Sequence, residues 1–398
     1  MRAVYLDNNA TTRPDPDVVA AMLPYLVEHF GNPSSAHAFG AASRQGMKTA
    51  RERVAALVGA RFADEILFTS GGTESDNAAI RAGLAAKPDR NEIVVSAVEH
   101  PAILALVGRL EAEGRIRVRR IPVLPCGCLD RELYRAALSP RVAIVSIMWA
   151  NNETGVVHPV EALAEEAKAV GAIFHTDAVQ AAGREPIDVD RSAIDLLSLS
   201  SHKLHGPKGA GALYVRRGFR FTALISGGKQ ERARRGGTEN VPAIVGFGKA
   251  AEIAAPRLRG DAARMRALRD RLEGGLIGRI RDALALGARA ARLPNTSAIA
   301  FADVEAEAVA TMLAREGIAV STGSACSAGS NAPSHVLKAM AGPMAEFGAV
   351  RFSLSRDSDD DDIDRALSVA PEIVARLRRG APRAAVARTP DQPEVAHV

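Results

Sequence analysis

Ser198-Leu199-Ser200-Ser201-His202-Lys203-Leu204-His205-Gly206-Pro207-Lys208-Gly209 closes an apolar run that begins at Ile194 and sets a lysine just past its end. The run predicts a buried strand, and the glycines after it predict a turn. An amine held there, beside His202 and away from water, loses its proton near neutral pH and can attack a carbonyl. A lone loop lysine is ordinarily solvated, so the reading needs a partner. Upstream, Ala172-Ile173-Phe174-His175-Thr176-Asp177-Ala178-Val179-Gln180 is another apolar strand, and it ends on a carboxylate. A lysine for a covalent carbonyl linkage and an acid for a pyridinium nitrogen are the two groups that pyridoxal phosphate requires. Asp177 and Lys203 stand at successive strand ends, where one ring can meet both.

Working outward, apolar runs alternate with helical ones: Ile66 to Thr69, Ile93 to Ala97, Ile116 to Ile121, Val142 to Ile147, Ala172 to His175, Ile194 to Leu199 and Ala212 to Val215. This predicts an α/β fold with a mostly parallel seven-stranded sheet covered by helices on both faces, and sites beyond the carboxyl ends of its strands. Ahead of the sheet, Asp7-Asn8-Asn9-Ala10-Thr11-Thr12 is turn-rich, one helix starts near Pro16, and a longer one runs to about Leu57. Near Pro256 the pattern changes. Leu268, Leu272, Leu276, Ile280 and Leu284 recur every four residues, which predicts one long amphipathic helix leading into a smaller α+β unit. The expected division is a large domain over 1–259, a small domain over 260–379 and a disordered tail over 380–398, with the opening residues packing on the small domain.

Of 398 residues, 47% are hydrophobic and 24% charged, as in a soluble globular protein. The formal charge is +5, but from Val374 onward five arginines face only Asp391 and Glu394, so the body is near neutral. That argues against a nucleic-acid surface. No apolar run reaches a membrane span of roughly 18 residues, and the opening Met1-Arg2-Ala3-Val4-Tyr5-Leu6-Asp7 has no signal-peptide pattern, so a cytoplasmic protein is expected. Three cysteines form neither a disulfide framework nor a zinc quartet, and Cys126 and Cys128 read as turn residues.

The other strand ends add chemistry. Ser70-Gly71-Gly72-Thr73-Glu74-Ser75-Asp76 runs straight into a helix, where bare amides and a hydroxyl suit a phosphate, although such a start is often only a cap. Val98-Glu99-His100-Pro101 brings an imidazole to the same region, and Asn151-Asn152 brings carboxamides.

Taken together, Tyr5-Leu6-Asp7-Asn8-Asn9-Ala10-Thr11-Thr12, Phe30-Gly31-Asn32-Pro33-Ser34-Ser35, Gly72-Thr73-Glu74-Ser75-Asp76, Trp149-Ala150-Asn151-Asn152-Glu153-Thr154-Gly155, His175 to Gln180, His202-Lys203 and Gly323-Ser324-Ala325-Cys326 resemble the cysteine desulfurases of the NifS/IscS family, which have the class V aminotransferase fold. The resemblance is strongest on the NifS, nitrogen-fixation side and covers nearly the whole chain. It implies a fold-type I enzyme that uses pyridoxal 5'-phosphate to take sulfur from L-cysteine, leaving L-alanine and a persulfide on Cys326. Carried over by position, it implies Lys203 as covalent anchor and proton carrier, Asp177 at the pyridine nitrogen and His100 stacked on the ring. It places Gly72, Thr73, Ser200 and His202 on the phosphate, with Thr238 reaching the phosphate of the neighbouring subunit in a homodimer. Asn152 and Gln180 fall near the ring oxygen, and Arg351, with Asn32 and Asn152, on the substrate carboxylate. The implied acceptor is an iron-sulfur scaffold protein of the NifU or IscU kind, and the implied purpose is cluster assembly for nitrogenase.

The small, glycine-rich setting of Cys326 suits a mobile loop that presents a thiolate. Ser327-Ala328 and Asn331-Ala332 depart from the family pattern, which bears on acceptor recognition rather than on the chemistry. Two other readings stand beside this one. A selenocysteine lyase or aminotransferase would share the fold, and a binding protein could use Arg232-Ala233-Arg234-Arg235 as a nucleic-acid patch.

Overall fold

The structure is a computed structural model that describes residues 2–323, 334–340 and 349–380. Cys326 and the tail beyond Gly380 lie outside the described residues. The elements run β1 (Val4–Tyr5), α1 (Pro16–Val27), α2 (Ala38–Leu57), β2 (Ile66–Thr69), α3 (Gly72–Ala86), β3 (Glu92–Ser96), α4 (Pro101–Ala112), β4 (Arg117–Ile121) and α5 (Arg131–Ala137). They continue with β5 (Val142–Ser146), α6 (Val160–Ala169), β6 (Ile173–Asp177), β7 (Leu196–Ser200), β8 (Gly211–Val215), the short turn α7 (Gln230–Ala233) and α8 (Val241–Arg279). After these come β9 (Ala283–Ala285), β10 (Thr296–Phe301), α9 (Ala306–Arg315), β11 (Ile318–Ala319), α10 (His335–Ala339), β12 (Val350–Ser353) and α11 (Asp360–Gly380).

Seven strands form the central sheet in the order β2-β8-β7-β6-β5-β3-β4, parallel except for β8, which runs against both of its neighbours. Successive residues along each buried strand enter opposite cores. Ile93, Val95, Ile144, Ile173, Leu196 and Leu213 pack with Ile80, Ile103 and Val107 of α3 and α4. Val94, Val145, Phe174, Leu197 and Ala212 pack with Val54 of α2, Leu163 of α6 and Phe247 of α8. That is the period of two expected of a sheet buried on both sides, and each fully buried Leu, Ile or Phe contributes about 1.5–3 kcal/mol. Edge strand β4 carries Arg117, Arg119 and Arg120, charges that discourage pairing with another sheet.

Helix α8 differs from the sequence reading. It begins at Val241, where the Asn240 side chain accepts from Ala243 N, and runs unbroken through Pro256 to Arg279. Leu284 belongs to β9 and not to the helix, because the chain turns extended at Ile280 (φ −114°, ψ 109°) and left-handed at Asp282 (φ 56°). The two halves of α8 serve different cores. Phe247 and Ala251 pack under the large sheet, whereas Leu268, Leu272 and Leu276 pack with Ile299, Phe352, Leu313 and Ile363. Gly248 lets α8 approach α2 closely, since a Cβ there would lie 2.4 Å from Ala50 Cα.

The C-terminal elements build a small antiparallel sheet, β12-β10-β9, and β11 pairs in parallel with β1. The first strand of the chain is thereby joined to its last third, and an isolated bridge between Asp7 and Ser353 extends the link. This brings the Asp7–Thr12 turn to the carboxyl edge of the large sheet.

Candidate active site

Lys203 ends a 3-10 turn, Ser201–Lys203, that follows β7 directly. Its Nζ donates to the carbonyls of Asn9 and, at 2.6 Å, Ala10. Burial, then the charges of Arg351 and Arg184, push the amine down to about 7, against the opposing pull of Asp177 and Asp7. A lysine in that state is neutral and nucleophilic over half its population near pH 7.

Asp177, the last residue of β6, is buried and, among the described residues, accepts one hydrogen bond, from Val179 N at 2.8 Å. Burial raises its pKa, offset in part by His100 and Lys203. A buried carboxylate with a single amide donor is under-compensated, and a cationic ring N–H laid against it would remedy that. Beneath it, His175 is fully buried between Ser146 Oγ (2.8 Å) and Ser198 Oγ (2.9 Å) and is pushed down to about 3 by burial. His175 is therefore neutral and adds no charge under Asp177. Asp76 and Glu99, also buried, are pushed up chiefly by desolvation, Glu99 to about 8. Glu99 therefore favours the protonated form at neutral pH.

His100 caps α4, its Nδ1 accepting from Ala102 N at 3.1 Å, and burial lowers its pKa. Gly72 and Thr73 open α3, whose first amides have no partner within the helix. A Cβ on Gly72 would lie 2.9 Å from Val179 Cγ2 and 3.7 Å from Ser200 Cβ, so the glycine keeps a space between the helix start, Ser200 and the residue two past Asp177. His202 bonds Thr11 Oγ1 at 3.1 Å, and burial, then Lys203, push it down to about 4. The cradle therefore combines bare amides, hydroxyls and a neutral imidazole, a donor set that fits a phosphate dianion.

Arg351 on β12 is 2% exposed, donating to Asn152 O (2.9 Å) and Asp7 Oδ1 (2.7 Å). Gln180 donates to Asn9 O and accepts from Arg184. Asn32 is exposed and closes a turn onto Ser34 N at 2.8 Å, without a hydrogen bond to Arg351. Thr238 is exposed as well. The residues flanking Cys326 converge on Glu153: Ser334 Oγ donates to it at 2.6 Å, and a Cβ on Gly323 would lie 2.8 Å from the same oxygen. Cys126 and Cys128 are free thiols in a turn closed by Leu124 N to Cys128 O at 2.8 Å.

Three site residues were not singled out from the sequence: Asp7, Asn9 and Arg184. Arg184, pushed down to about 10 by burial, donates to Lys203 O at 3.3 Å and supports Gln180. Asp7 and Asn9 lay inside a quoted motif, but their partners are far along the chain. The arginine run does not present a free basic patch: Arg235 pairs with Glu74 at 3.0 Å, Arg232 with Asp64 at 3.7 Å, and Arg234 donates to Asp64 O.

A family model described as "Aminotransferase class-V" matches residues 4–366. A cysteine desulfurase of Gluconacetobacter diazotrophicus is 57% identical over 383 residues, which cover 96% of this chain and 96% of that protein. The "Cysteine desulfurase NifS" of Azotobacter vinelandii is 51% identical over 383 residues, 96% of this chain and 95% of that one. Among solved structures, a NifS-like protein superposes with a TM-score of 0.88 at 36% identity, covering 94% of this chain and 100% of that chain.

Proposed function

Because the chain belongs to the class-V aminotransferase family and is a cysteine desulfurase, we propose that Lys203, Asp177 and the α3 start hold pyridoxal phosphate and that Cys326 receives the sulfur of L-cysteine. The observation that carries this is the convergence of a depressed lysine amine, an under-compensated buried carboxylate and an open helix start at three strand ends of one sheet. When bound, the cofactor supplies an electron sink that makes the substrate Cα–H acidic and the C–S bond breakable.

The protein's own groups do the rest. Gly72, Thr73, Ser200 and His202 receive the phosphate, and Thr238 of a second copy completes the cradle. Asp177 keeps a proton at the pyridine nitrogen, and His100 covers the ring face. Asn152 and Gln180 stand at the ring oxygen; Gln180 has one amide proton left after Asn9 O. Arg351, with Asn32 and Asn152, orients the substrate carboxylate. The Lys203 amine takes the Cα proton and returns protons to the carbon skeleton. The Cys326 thiolate bonds to the substrate sulfur as the C–S bond breaks, so L-cysteine and the enzyme thiol become L-alanine and the enzyme persulfide.

A homodimer is part of the same proposal. Leu23, Leu26 and Val27 of α1 are exposed, as are Phe30 at 69% and Phe39 at 60%, whose rings lie 5.7 Å apart, and we assign these apolar residues to the dimer surface. No helix among the described residues is long and apolar enough to cross a membrane. We assign the persulfide to an iron-sulfur scaffold of the NifU or IscU kind, with nitrogenase maturation as the purpose, on the strength of the nitrogen-fixation side of the resemblance. The 1–259 and 260–379 domains, linked through α8, and a tail over 380–398 complete the proposal.

The test is the product pair: L-cysteine with reductant yields L-alanine and sulfide in equal amounts. Transamination of a keto acid in place of sulfide release would favour an aminotransferase, which has no use for a thiol nucleophile.

A further inference from the structure

Arg351 sits in surroundings that go beyond holding a substrate carboxylate, the role given it above, on which this inference rests. Its Nη1 is spent on Asn152 O and its Nη2 on Asp7 Oδ1, at 2.9 and 2.7 Å. Its Nε is buried with no hydrogen-bond partner among the described residues. Asp7 is fixed to the strand that bears the arginine: it bridges to Ser353 of β12, and the neighbouring Asn8 side chain donates to Ser353 O at 2.9 Å. The Asp7 side chain keeps 19% of its exposure against 3% for Arg351, so the pair stands at the wall of the site, with the anion nearer to solvent.

A carboxylate arriving at Arg351 therefore meets a guanidinium already paired with a fixed anion. L-cysteine and L-alanine carry the same carboxylate, so any grip on that group binds substrate and product alike and does not speed the chemistry. We propose that Asp7 is a positioning residue that aims Arg351 and holds its grip on amino-acid carboxylates weak, which keeps L-alanine release fast.

Asp7→Asn keeps an oxygen to accept from Nη2 and removes only the charge. In the holoenzyme it should tighten L-alanine binding, measured by calorimetry, by roughly tenfold, and lower KM for L-cysteine by a similar factor without raising kcat. Cysteamine, which has the amine and thiol but no carboxylate, should bind both forms equally. Asp7→Ser, which also removes the charge, should repeat the tightening and covers the case in which Asp7→Asn fails to fold. Unchanged or weaker L-alanine binding in these variants, with Arg351→Lys weakening it as the site reading requires, overturns the Asp7 proposal alone. Unchanged L-alanine binding in Arg351→Lys overturns the carboxylate assignment and this inference with it. An equal gain for cysteamine would mean that Asp7 acts on the site at large and not through Arg351.

Discussion

The amine of Lys203 donates to the carbonyl of Ala10 at 2.6 Å, so the reactive nitrogen is held by a turn 193 residues earlier in the chain. Two carbonyls give the amine acceptors without a counter-charge, which keeps it in place while burial keeps its proton loosely held.

Lys203→Ala removes this nitrogen from a site whose other contacts remain. The variant should fold and bind pyridoxal phosphate reversibly, with turnover down by at least about 10²–10⁴-fold. Borohydride followed by mass spectrometry should fix the cofactor on residue 203 of the wild type and nowhere on the variant.

The depressed amine also sets a pH dependence. In the proposed role only the neutral amine would react with an aldehyde, so the loading rate of the apoprotein with pyridoxal phosphate should rise tenfold per pH unit below about 7 and level off above it. Arg184 is one of the charges that lower this pKa, so Arg184→Gln should move the inflection to higher pH. Linkage has the same origin. Between about 7 and the ordinary lysine value of 10.5 the unfolded chain holds a proton that the folded apoprotein lacks, so this group makes stability rise with pH across that window. Stopped-flow loading and urea melts across pH 6–10 read the two effects.

What was legible in the sequence follows from chain locality. Asp177 and Lys203 could be found because each lies at or just past the end of an apolar run, and β6 and β7 proved to be parallel neighbours. Arg351 had no local signal, since its strand, β12, meets the site only through pairing with distant segments, and the family resemblance supplied it. Asp7 and Asn9 have no periodicity around them, and their partners lie 344 and 194 residues away. Helix α8 was placed too late because leucine spacing marks only the half that enters the smaller core. Its earlier half buries Val241, Ile244, Val245 and Phe247 among Ala and Gly, with no leucine repeat to mark it.

Gly248 joins α2 to α8 without room for a methyl group. Gly248→Ala places a Cβ 2.4 Å from Ala50 Cα, so it should destabilise by about 1–3 kcal/mol, read as a lower urea midpoint at unchanged slope.

The exposed Leu26 and Phe30 belong to the surface assigned to the dimer. Leu26→Asp with Phe30→Asp should yield a monomer by sedimentation while the monomer's own stability changes by no more than about 0.5 kcal/mol per site. Loss of cofactor affinity should accompany dissociation if, as proposed, Thr238 completes the phosphate cradle of the second copy.

The sulfur of L-cysteine is proposed to pass to one thiol, Cys326. Wild-type enzyme given L-cysteine without reductant, digested and mapped by mass spectrometry, should carry one added sulfur on Cys326, with Cys126 and Cys128 unmodified. Cys326→Ser should bind L-cysteine and release little L-alanine. Added sulfur on Cys126 or Cys128 in place of Cys326, or near-normal L-alanine release from Cys326→Ser, would contradict the account.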